Sequence, residues 1–317
     1  MKQVTLKKTN EKVSEMALGT MYFNTLVDRE VSKQLLDTYY NLGGNFIDTA
    51  NMYVSWIDGF EGGECESLIG NWMKDKRNRH DIFLSSKVGQ EMKGVSPGLK
   101  KELIIKECEN SLRRLKTDTI DLYFAHYEDP DTPIEETLEA FDTLKRQGKI
   151  RYTGVSNFRS HNVAEAQKAA ECNNLTKFTF AQYRYTYLRP KLGTPFKMEG
   201  DMRMHATEDM LDYIREQDMN FMSYQTLMSG AYSRQDKEIP NEYIGPDSDE
   251  RMKVLEEITE EKDANINHVV LAWAMQNEMK SIPLITGSKV SQIEDNVRSS
   301  EVKLTNEQVQ RLNNAGI

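Results

Sequence analysis

Four polar side chains that could together move a proton lie near the ends of short apolar runs in the chain. Asp48 lies near the end of one run, and Tyr53 follows in the loop after it. Lys87 and His126 close two later runs. A phenol has a pKa near 10 and is a weak acid at neutral pH, but a cationic Lys87 beside it would favour the phenolate. Asp48 would pair with Lys87, so that Tyr53 could donate a proton to a developing alkoxide.

Each of these residues also has an ordinary structural explanation when taken alone. An aspartate after a strand is often a helix cap, a histidine beside an apolar run is often structural, and a single lysine is usually solvated. The four would share one cleft if their runs were successive strands of a barrel, because the carboxyl ends of barrel strands meet at one rim. His126 could then orient a carbonyl oxygen. A nucleophilic Ser-His-Asp triad is the competing arrangement, but the sequence has no G-x-S-x-G turn.

Eight short apolar runs recur along the chain and are separated by longer amphipathic segments. Each run has four to six residues, which is typical of strands buried on both faces of a parallel sheet. The predicted strands are residues 16–20, 45–50, 82–86, 120–125, 151–155, 178–182, 220–224 and 282–285.

The segments between these runs have helical periodicity and helix-end signals. Residues 29–42 and 103–115 each place apolar side chains on one stripe. Residues 132–135 predict a capping box with Pro133 at the first helical position, where a missing N–H costs nothing. Gly148 is placed to end a helix in the left-handed conformation.

This alternation predicts an α/β fold, a closed (β/α)8 TIM barrel formed by a single domain over residues 1–317. The alternative, an open doubly wound sheet, usually carries a G-x-G-x-x-G turn after an early strand, and none is present. Residues 4–6 and 12–13 predict an N-terminal β-hairpin that closes the barrel bottom. The tail from Glu301 predicts a short C-terminal helix with a capping box at Thr305.

Composition excludes several classes of protein. A net charge of −9 argues against a nucleic-acid-binding protein. No secretory signal and no apolar run of membrane-spanning length are seen, and the three cysteines form no C-x-x-C pair. We therefore expect a cytoplasmic protein with reduced thiols and no membrane partner. Met202, Met204 and His205 are close together, but no further ligand stands at suitable spacing and no metal site is expected.

Three longer motifs carry a resemblance to a known family. The first is Gly-Asn-Phe-Ile-Asp-Thr-Ala-Asn-Met-Tyr at 44–53, which contains an Asp-Thr-Ala-x-x-Tyr signature. The second is Asp-Leu-Tyr-Phe-Ala-His at 121–126 followed by Thr-Pro-Ile-Glu-Glu-Thr-Leu at 132–138. The third is Gly-Lys-Ile-Arg-Tyr-Thr-Gly-Val-Ser-Asn-Phe at 148–158. Over nearly its whole length the chain resembles the aldo-keto reductase superfamily, and in particular the bacterial-type branch that includes the potassium-channel β-subunits.

The resemblance implies NADP(H) as cofactor, a small carbonyl compound as substrate, and Tyr53 as proton donor in a tetrad with Asp48, Lys87 and His126. It also implies contacts with every part of the cofactor. Near the nicotinamide it places Asp48, Ser156, Asn157 and Gln182, with Tyr224 stacked on the ring and a turn of Gly19, Thr20 and Met21 beneath. The pyrophosphate loop would be Gln225, Thr226, Leu227, Ser229 and Gly230. The adenosine-phosphate motif would be Gly287, Ser288, Lys289, Gln292, Asp295 and Asn296.

Simple electrostatics supports the last of these motifs. Ser288 precedes a helix predicted to start near Ser291, where free backbone N–H groups favour an anion. Lys289 adds a positive charge, which favours the 2′-phosphate of NADPH over NADH.

The chain also departs from the family pattern in two places. Gln225 and Thr226 replace the usual Ser-Pro of the pyrophosphate loop. The loop after Tyr53 is long, and its Trp56 and Phe60 either overhang the active-site mouth or pack the loop down.

These motifs predict an enzyme that reduces an aldehyde or ketone to an alcohol by hydride transfer from NADPH. A regulatory or redox-sensing subunit that binds NADPH and turns over slowly is one alternative. A barrel isomerase that moves protons without hydride is another. The sequence assigns no oligomeric partner.

Overall fold

Eight parallel strands form a closed barrel in the computed structural model, which describes residues 1–191 and 205–317. Met202 and Met204, considered above for a metal, therefore lie outside the described residues. The barrel strands are β3 (Ala17–Gly19), β4 (Phe46–Asp48), β5 (Phe83–Val88), β6 (Ile120–Ala125), β7 (Ile150–Ser156), β8 (Phe180–Arg184), β9 (Asn220–Tyr224) and β10 (Ile282–Ile285). Around the barrel their order is β10-β3-β4-β5-β6-β7-β8-β9.

Helices surround this barrel and connect its strands. Those in the described part of the chain are α1 (Arg29–Asn41), α2 (Glu64–Lys76), α3 (Lys101–Leu115), α4 (Ile134–Arg146), α5 (Ser160–Cys172), α6 (Glu208–Glu216), α7 (Pro246–Glu261), α8 (Ile266–Gln276), α9 (Val290–Arg298) and α10 (Asn306–Asn314). The TIM-barrel prediction is confirmed. No helix of the described residues combines the length and the apolar character that a membrane crossing requires.

The N-terminal hairpin is also confirmed. It pairs β1 (Gln3–Thr5) with β2 (Lys12–Ser14) in antiparallel register. Leu6 and Val13 are buried in the same apolar cluster as side chains inside the barrel, such as Phe46, Phe83 and Phe180. The hairpin therefore closes one end of the barrel with apolar side chains and leaves the other rim for polar ones.

Helix ends follow the sequence signals in most places and depart from them at α4. The capping box at Thr305 is present, and Gly148 has φ of +71°. The predicted capping box at 132–135 is wrong, because α4 begins at Ile134 and Pro133 precedes it. The Thr132 hydroxyl instead donates to the Asp129 carboxylate at 2.6 Å. Because Pro133 rather than Thr132 is the residue directly before the helix, no side chain caps α4.

Gly70 of α2 lies close to the backbone at the end of α3. A Cβ there would press into the carbonyl oxygen of Arg114 and lie 2.6 Å from the carbonyl carbon of Leu115. These obstructing atoms are backbone, which cannot rotate aside, so a side chain would force the two helices apart.

We expect Gly70→Ala to lower the free energy of unfolding by about 1–3 kcal/mol, the usual cost of overpacking. Urea unfolding followed by circular dichroism measures the change. The matched control is Gly19→Ala, because a Cβ at Gly19 would meet its neighbours no closer than 3.7 Å. A loss of stability no larger in Gly70→Ala than in the control would contradict this packing argument.

Candidate active site

Lys87 is the centre of a fully buried polar cluster at the open rim of the barrel. Its Nζ donates to Asp48 Oδ2 at 2.6 Å and to Tyr53 OH at 2.8 Å. A third bond, of 2.8 Å, goes to the carbonyl oxygen of Thr49. An ammonium group has three N–H donors, so Lys87 uses all of them.

Asp48 has 0 % exposure and is held on both carboxylate oxygens. Its Oδ1 accepts from Ser85 Oγ at 2.7 Å and from Gln182 Nε2 at 3.0 Å. Its Oδ2 accepts from Lys87, and Tyr53 OH lies 3.4 Å away. The carboxylate is thus a buried charge whose hydrogen-bonding capacity is largely used.

Strand register explains why these side chains meet. Asp48 of β4 pairs with Ser85 of β5, and side chains two residues apart on a strand share a face. Lys87 therefore points to the same side as Ser85, toward Asp48. Gln182 arrives from β8 across the barrel.

His126 follows β6 and completes the group of four predicted residues. Its backbone N–H donates to the carbonyl of Val88 at 2.8 Å, and its ring lies edge-on to that of Tyr53 with centroids 6.2 Å apart. Among the described residues, its buried Nδ1 has no hydrogen-bond partner. Burial, reinforced by the Lys87 charge, holds the pKa of His126 well below its usual range. The ring is therefore neutral at pH 7 and keeps one N–H donor.

The acidity of Tyr53 differs from the sequence-based expectation. Burial first, and then the Asp48 carboxylate, raise the pKa of Tyr53 well above its ordinary value. Burial also lowers the pKa of Lys87, an effect that Asp48 opposes. Lys87 contacts the phenol as predicted, but the net direction is opposite to the expected one. Tyr53 therefore stays protonated at neutral pH, the form that a proton donor needs.

The loop that carries Tyr53 contains a strained residue. Val54 is fully buried and has φ of +64°, a conformation that β-branched residues rarely adopt. Such a residue costs about 1–3 kcal/mol and persists only where its surroundings hold it. The backbone N–H of Ser55 donates to the carbonyl of Met52 at 2.9 Å, and the turn continues toward Trp56. Trp56 is 54 % exposed, whereas Phe60 is partly buried.

The residues predicted to hold a nicotinamide lie together beside the four. Ser156 Oγ donates to the carbonyl of Gln182 at 2.8 Å, and Asn157 Nδ2 donates to the carbonyl of His126 at 3.0 Å. Tyr224 OH donates to Asn157 Oδ1 at 2.8 Å. Asn157 has φ of +59°, a conformation that asparagine tolerates. The structure therefore brings these amide and hydroxyl groups to the same rim.

The turn after β3 supports the strand end that carries Asp48. Both the backbone N–H and the hydroxyl of buried Thr20 donate to the Asp48 carbonyl, at 3.1 and 2.9 Å. Gly19 pairs with Asp48 in the strand register, and Met21 packs against a small cluster that includes Tyr53.

The predicted pyrophosphate loop follows β9 as a series of tight turns. Gln225, Ser229 and Gly230 all have positive φ, and Ser229 Oγ donates to Gln225 Oε1 at 3.1 Å. Thr226 is buried, with its hydroxyl directed to Ser223 Oγ, and Leu227 packs on the apolar core. In this loop Thr226 and Leu227 anchor the backbone to the barrel.

The predicted adenosine-phosphate motif begins between β10 and α9 and continues into α9, which starts at Val290. Gln292 Oε1 accepts from the backbone N–H groups of Ser288 and Lys289, at 2.8 and 3.1 Å. An anion at these N–H groups would replace the Gln292 oxygen.

The other residues of this motif lie in and just before α9. The Lys289 side chain is exposed, whereas Asn296 Nδ2 donates to the carbonyl of Thr286 at 3.3 Å. Gly287 lies against Gln292, and Asp295 pairs with His268 Nε2 at 3.0 Å. The Asp295 carboxylate is therefore already paired with a side chain of the neighbouring helix α8.

Comparison with known proteins places the chain in a family. The model of the aldo/keto reductase family matches residues 15–317. The chain belongs to the aldo/keto reductase family. Members of the family are oxidoreductases.

Individual relatives agree with that assignment. The uncharacterized oxidoreductase YrpG of Bacillus subtilis is 29% identical over 99% of this chain and 95% of its own length. An aryl-alcohol dehydrogenase [NADP(+)] of Phanerodontia chrysosporium is 28% identical over 95% of this chain and 82% of its own. The structure is similar to that of aldo-keto reductase AKR11C1 from Bacillus halodurans in its holo form, with a TM-score of 0.76, 26% identity, and coverage of 99% of this chain and 95% of that one.

Sequence reasoning missed two residues of the buried cluster. The Ser85 hydroxyl donates to Asp48, and the main-chain carbonyl of Thr49 accepts from Lys87, so both residues contact the Lys87–Asp48 ion pair. The role of Ser85 could have been predicted, because it precedes Lys87 by two residues on a predicted strand and side chains at that spacing share a face. The Thr49 carbonyl carries no signal in residue type. Within residues 1–191 and 205–317, no group of three or more His, Cys, Asp or Glu side chains is arranged to hold a metal ion.

The low pKa of His126 makes stability depend on pH. The folded protein favours the neutral ring, whereas the unfolded chain binds a proton below about pH 6.5. Stability from this group is therefore complete above pH 6.5 and is lost as pH falls toward the folded pKa. We expect His126→Gln to remove about 1–2 kcal/mol of the decrease in unfolding free energy between pH 7 and pH 5.

Urea unfolding at pH 7, 6 and 5 measures this slope. His80→Gln is the matched control, because the side chain of His80 is 79 % exposed and should leave the wild-type slope unchanged. Equal slopes in wild type and His126→Gln would show that His126 is not held neutral by the fold.

Proposed function

We propose that this protein reduces an aldehyde or ketone to an alcohol with NADPH, and that Tyr53 is the proton donor. The observation that carries the proposal is the contact of the buried Tyr53 phenol with Lys87 Nζ at 2.8 Å, beside the neutral His126 ring. This arrangement offers a protonated acid, a cation to stabilise the phenolate it leaves, and an N–H donor for a carbonyl oxygen.

The side chains present fit a nicotinamide cofactor. Asn157 and Gln182 provide amide groups that match a carboxamide, and Tyr224 provides an aromatic ring beside them. When bound, the reduced nicotinamide would supply the hydride that adds to the carbonyl carbon. Exposed Lys289 at the start of α9 supports a 2′-phosphate there, and the Phanerodontia chrysosporium relative is named for NADP(+).

Each residue of the tetrad then has one task. His126 donates its N–H to the substrate carbonyl and orients it. Tyr53 transfers its proton to the oxygen as negative charge develops there, and Lys87 stabilises the remaining phenolate through the existing hydrogen bond. Asp48 keeps Lys87 charged, because burial alone would lower the pKa of that lysine. The products are an alcohol and oxidised cofactor, so protons and electrons balance.

The first experiment is a fluorescence titration with NADPH, followed by the loss of its absorbance with a panel of small aldehydes and ketones. Binding and turnover would support the proposal. Absence of NADPH binding would overturn it, and binding without turnover on any carbonyl would favour a regulatory NADPH-binding subunit. Proton exchange without cofactor oxidation would favour an isomerase.

We expect Tyr53→Phe to lower kcat by roughly 10²–10⁴-fold, because the variant retains the ring but has no proton to donate. Its Kd for NADPH should stay within about twofold of wild type, since the phenol delivers only a proton. Tyr40→Phe is the control, because the Tyr40 hydroxyl bonds Asp81 at the protein surface. If Tyr53→Phe kept most of its activity, the acid would be another group.

We expect Lys289→Ala to weaken NADPH binding roughly tenfold or more, the scale of a lost charge-assisted contact to phosphate. NADH binding should change little, because NADH has no 2′-phosphate. Fluorescence titration with both cofactors gives the two Kd values, and Lys253→Ala removes an exposed lysine of α7 as control. Equal losses for NADPH and NADH would rule out the 2′-phosphate role.

A further inference from the structure

Asn51 ties the loop that carries Tyr53 to a helix outside the barrel. It lies two residues before Tyr53, and only 1 % of it is exposed. Its backbone N–H donates to the carbonyl of Lys87 at 3.3 Å, so the loop runs alongside the end of β5. Its side-chain Nδ2 donates to Glu107 Oε2 of α3 at 3.2 Å. Asn51 therefore connects the loop that carries Tyr53 with β5 and with α3.

Glu107 is an unusual residue for its position. It is 1 % exposed on the face of α3 that also buries Ile104 and Cys108, where an apolar side chain would pack without cost. In the described part of the chain, no lysine or arginine nitrogen lies within 4.0 Å of its carboxylate. Its two oxygens instead accept from the amides of Asn51 and Asn110, the latter at 2.7 Å. A buried carboxylate held by two amides is costly for the fold, which points to a role other than packing.

The carboxylate also fixes which way the Asn51 amide faces. Asn51 Oδ1 is buried and accepts no hydrogen bond from the described residues. Turning the amide over would bring that oxygen against the Glu107 carboxylate, and two acceptors repel each other. The Asn51 side chain therefore has a single arrangement, and Glu107 determines it.

Because Val54 is strained, the hydrogen bond between Asn51 and Glu107 can affect the position of the Tyr53 phenol. Val54 follows Tyr53 with φ of +64°, and relaxation toward negative φ would reorient the peptide next to Tyr53. The phenol would then move from Lys87 Nζ, with which its contact is 2.8 Å. Hydrogen bonds on the other side of Tyr53, at Thr49 and Asn51, oppose this movement.

We propose that Glu107, acting through Asn51, is a positioning residue that holds Tyr53 against Lys87. Glu107 touches neither the phenol nor the ammonium and acts through the conformation of the loop at 49–57. The inference rests on the proposed function for its effect on turnover. Its effect on the loop is independent of that function.

The test compares Glu107→Leu with wild type in two measurements. Hydrogen–deuterium exchange should be at least tenfold faster in Glu107→Leu for the amides of 49–57, because the tether is gone. In the carbonyl reductase assay, kcat should fall at least tenfold while the Kd for NADPH stays within about twofold. Glu109→Leu is the matched control on the same helix, since Glu109 pairs at the surface with Lys149 and should change neither quantity.

Two further variants separate positioning from general stability. Glu107→Gln keeps an oxygen that can accept from Asn51 Nδ2, so its kcat should return to within about threefold of wild type. Asn51→Ala removes the same hydrogen bond from the loop side and should reproduce the loss of kcat, which keeps the test available if Glu107→Leu does not fold.

The outcomes distinguish this inference from the proposed function. If wild type binds no NADPH or reduces no carbonyl, the proposed function is overturned, and the exchange rates still decide whether Glu107 holds the loop. Unchanged exchange at 49–57 in folded Glu107→Leu or Asn51→Ala overturns the inference. So does wild-type kcat in either variant of an active enzyme.

Discussion

The buried ion pair between Lys87 and Asp48 is the interaction on which the rest of the site depends. Both side chains have 0 % exposure, and their charged atoms are 2.6 Å apart. Removing two charges from water costs several kcal/mol per ion, which their attraction offsets only if the remaining donors and acceptors are also bonded. Ser85, Gln182 and Thr49 meet that requirement. The surrounding strand ends are therefore organised around satisfying this pair.

The pair also determines the protonation states of its neighbours. A dry site strengthens every electrostatic effect, so the Lys87 charge helps keep His126 neutral and the Asp48 charge helps keep Tyr53 protonated. The same low dielectric makes the phenolate left after proton transfer depend on its contact with Lys87. Even a small displacement of the phenol would weaken its hydrogen bond with Lys87. The strained turn at Val54 and the contact of Glu107 with Asn51 therefore affect proton transfer, because both influence the position of Tyr53.

The two ends of the barrel differ in character: one is packed with apolar side chains, and the other carries the polar residues of the candidate site. Apolar side chains fill the interior below the tetrad, and the hairpin with Leu6 and Val13 closes that end. Polar and conformationally strained residues collect at the opposite rim, including Asn157 and Gln225 with positive φ. Strain of this kind needs a rigid support, and the packed barrel interior provides it.

Much of the fold could be predicted from the sequence, because a buried parallel strand is locally recognisable. The observed β6, β9 and β10 have the predicted bounds, since continuous apolar runs mark strands covered on both faces. The four polar strand ends and the family motifs followed from residue types and order alone. The capping box predicted at Thr132 is wrong because α4 begins one residue later than expected, at Ile134, and the Thr132 hydroxyl donates to Asp129 in the preceding loop.

Tertiary structure alone decided the properties that depend on distance and burial. Asp48 and Gln182 are 134 residues apart in sequence and meet only because the barrel closes. The pKa of Tyr53 is raised by burial and by the Asp48 carboxylate, and residue spacing in the sequence reveals neither effect. Glu107 reads in the sequence as one more charge on an amphipathic helix. The sequence by itself determined which side chains are available and on which strands, and the folded barrel decided which of them touch, because desolvation and hydrogen bonding act only between groups that packing has brought together.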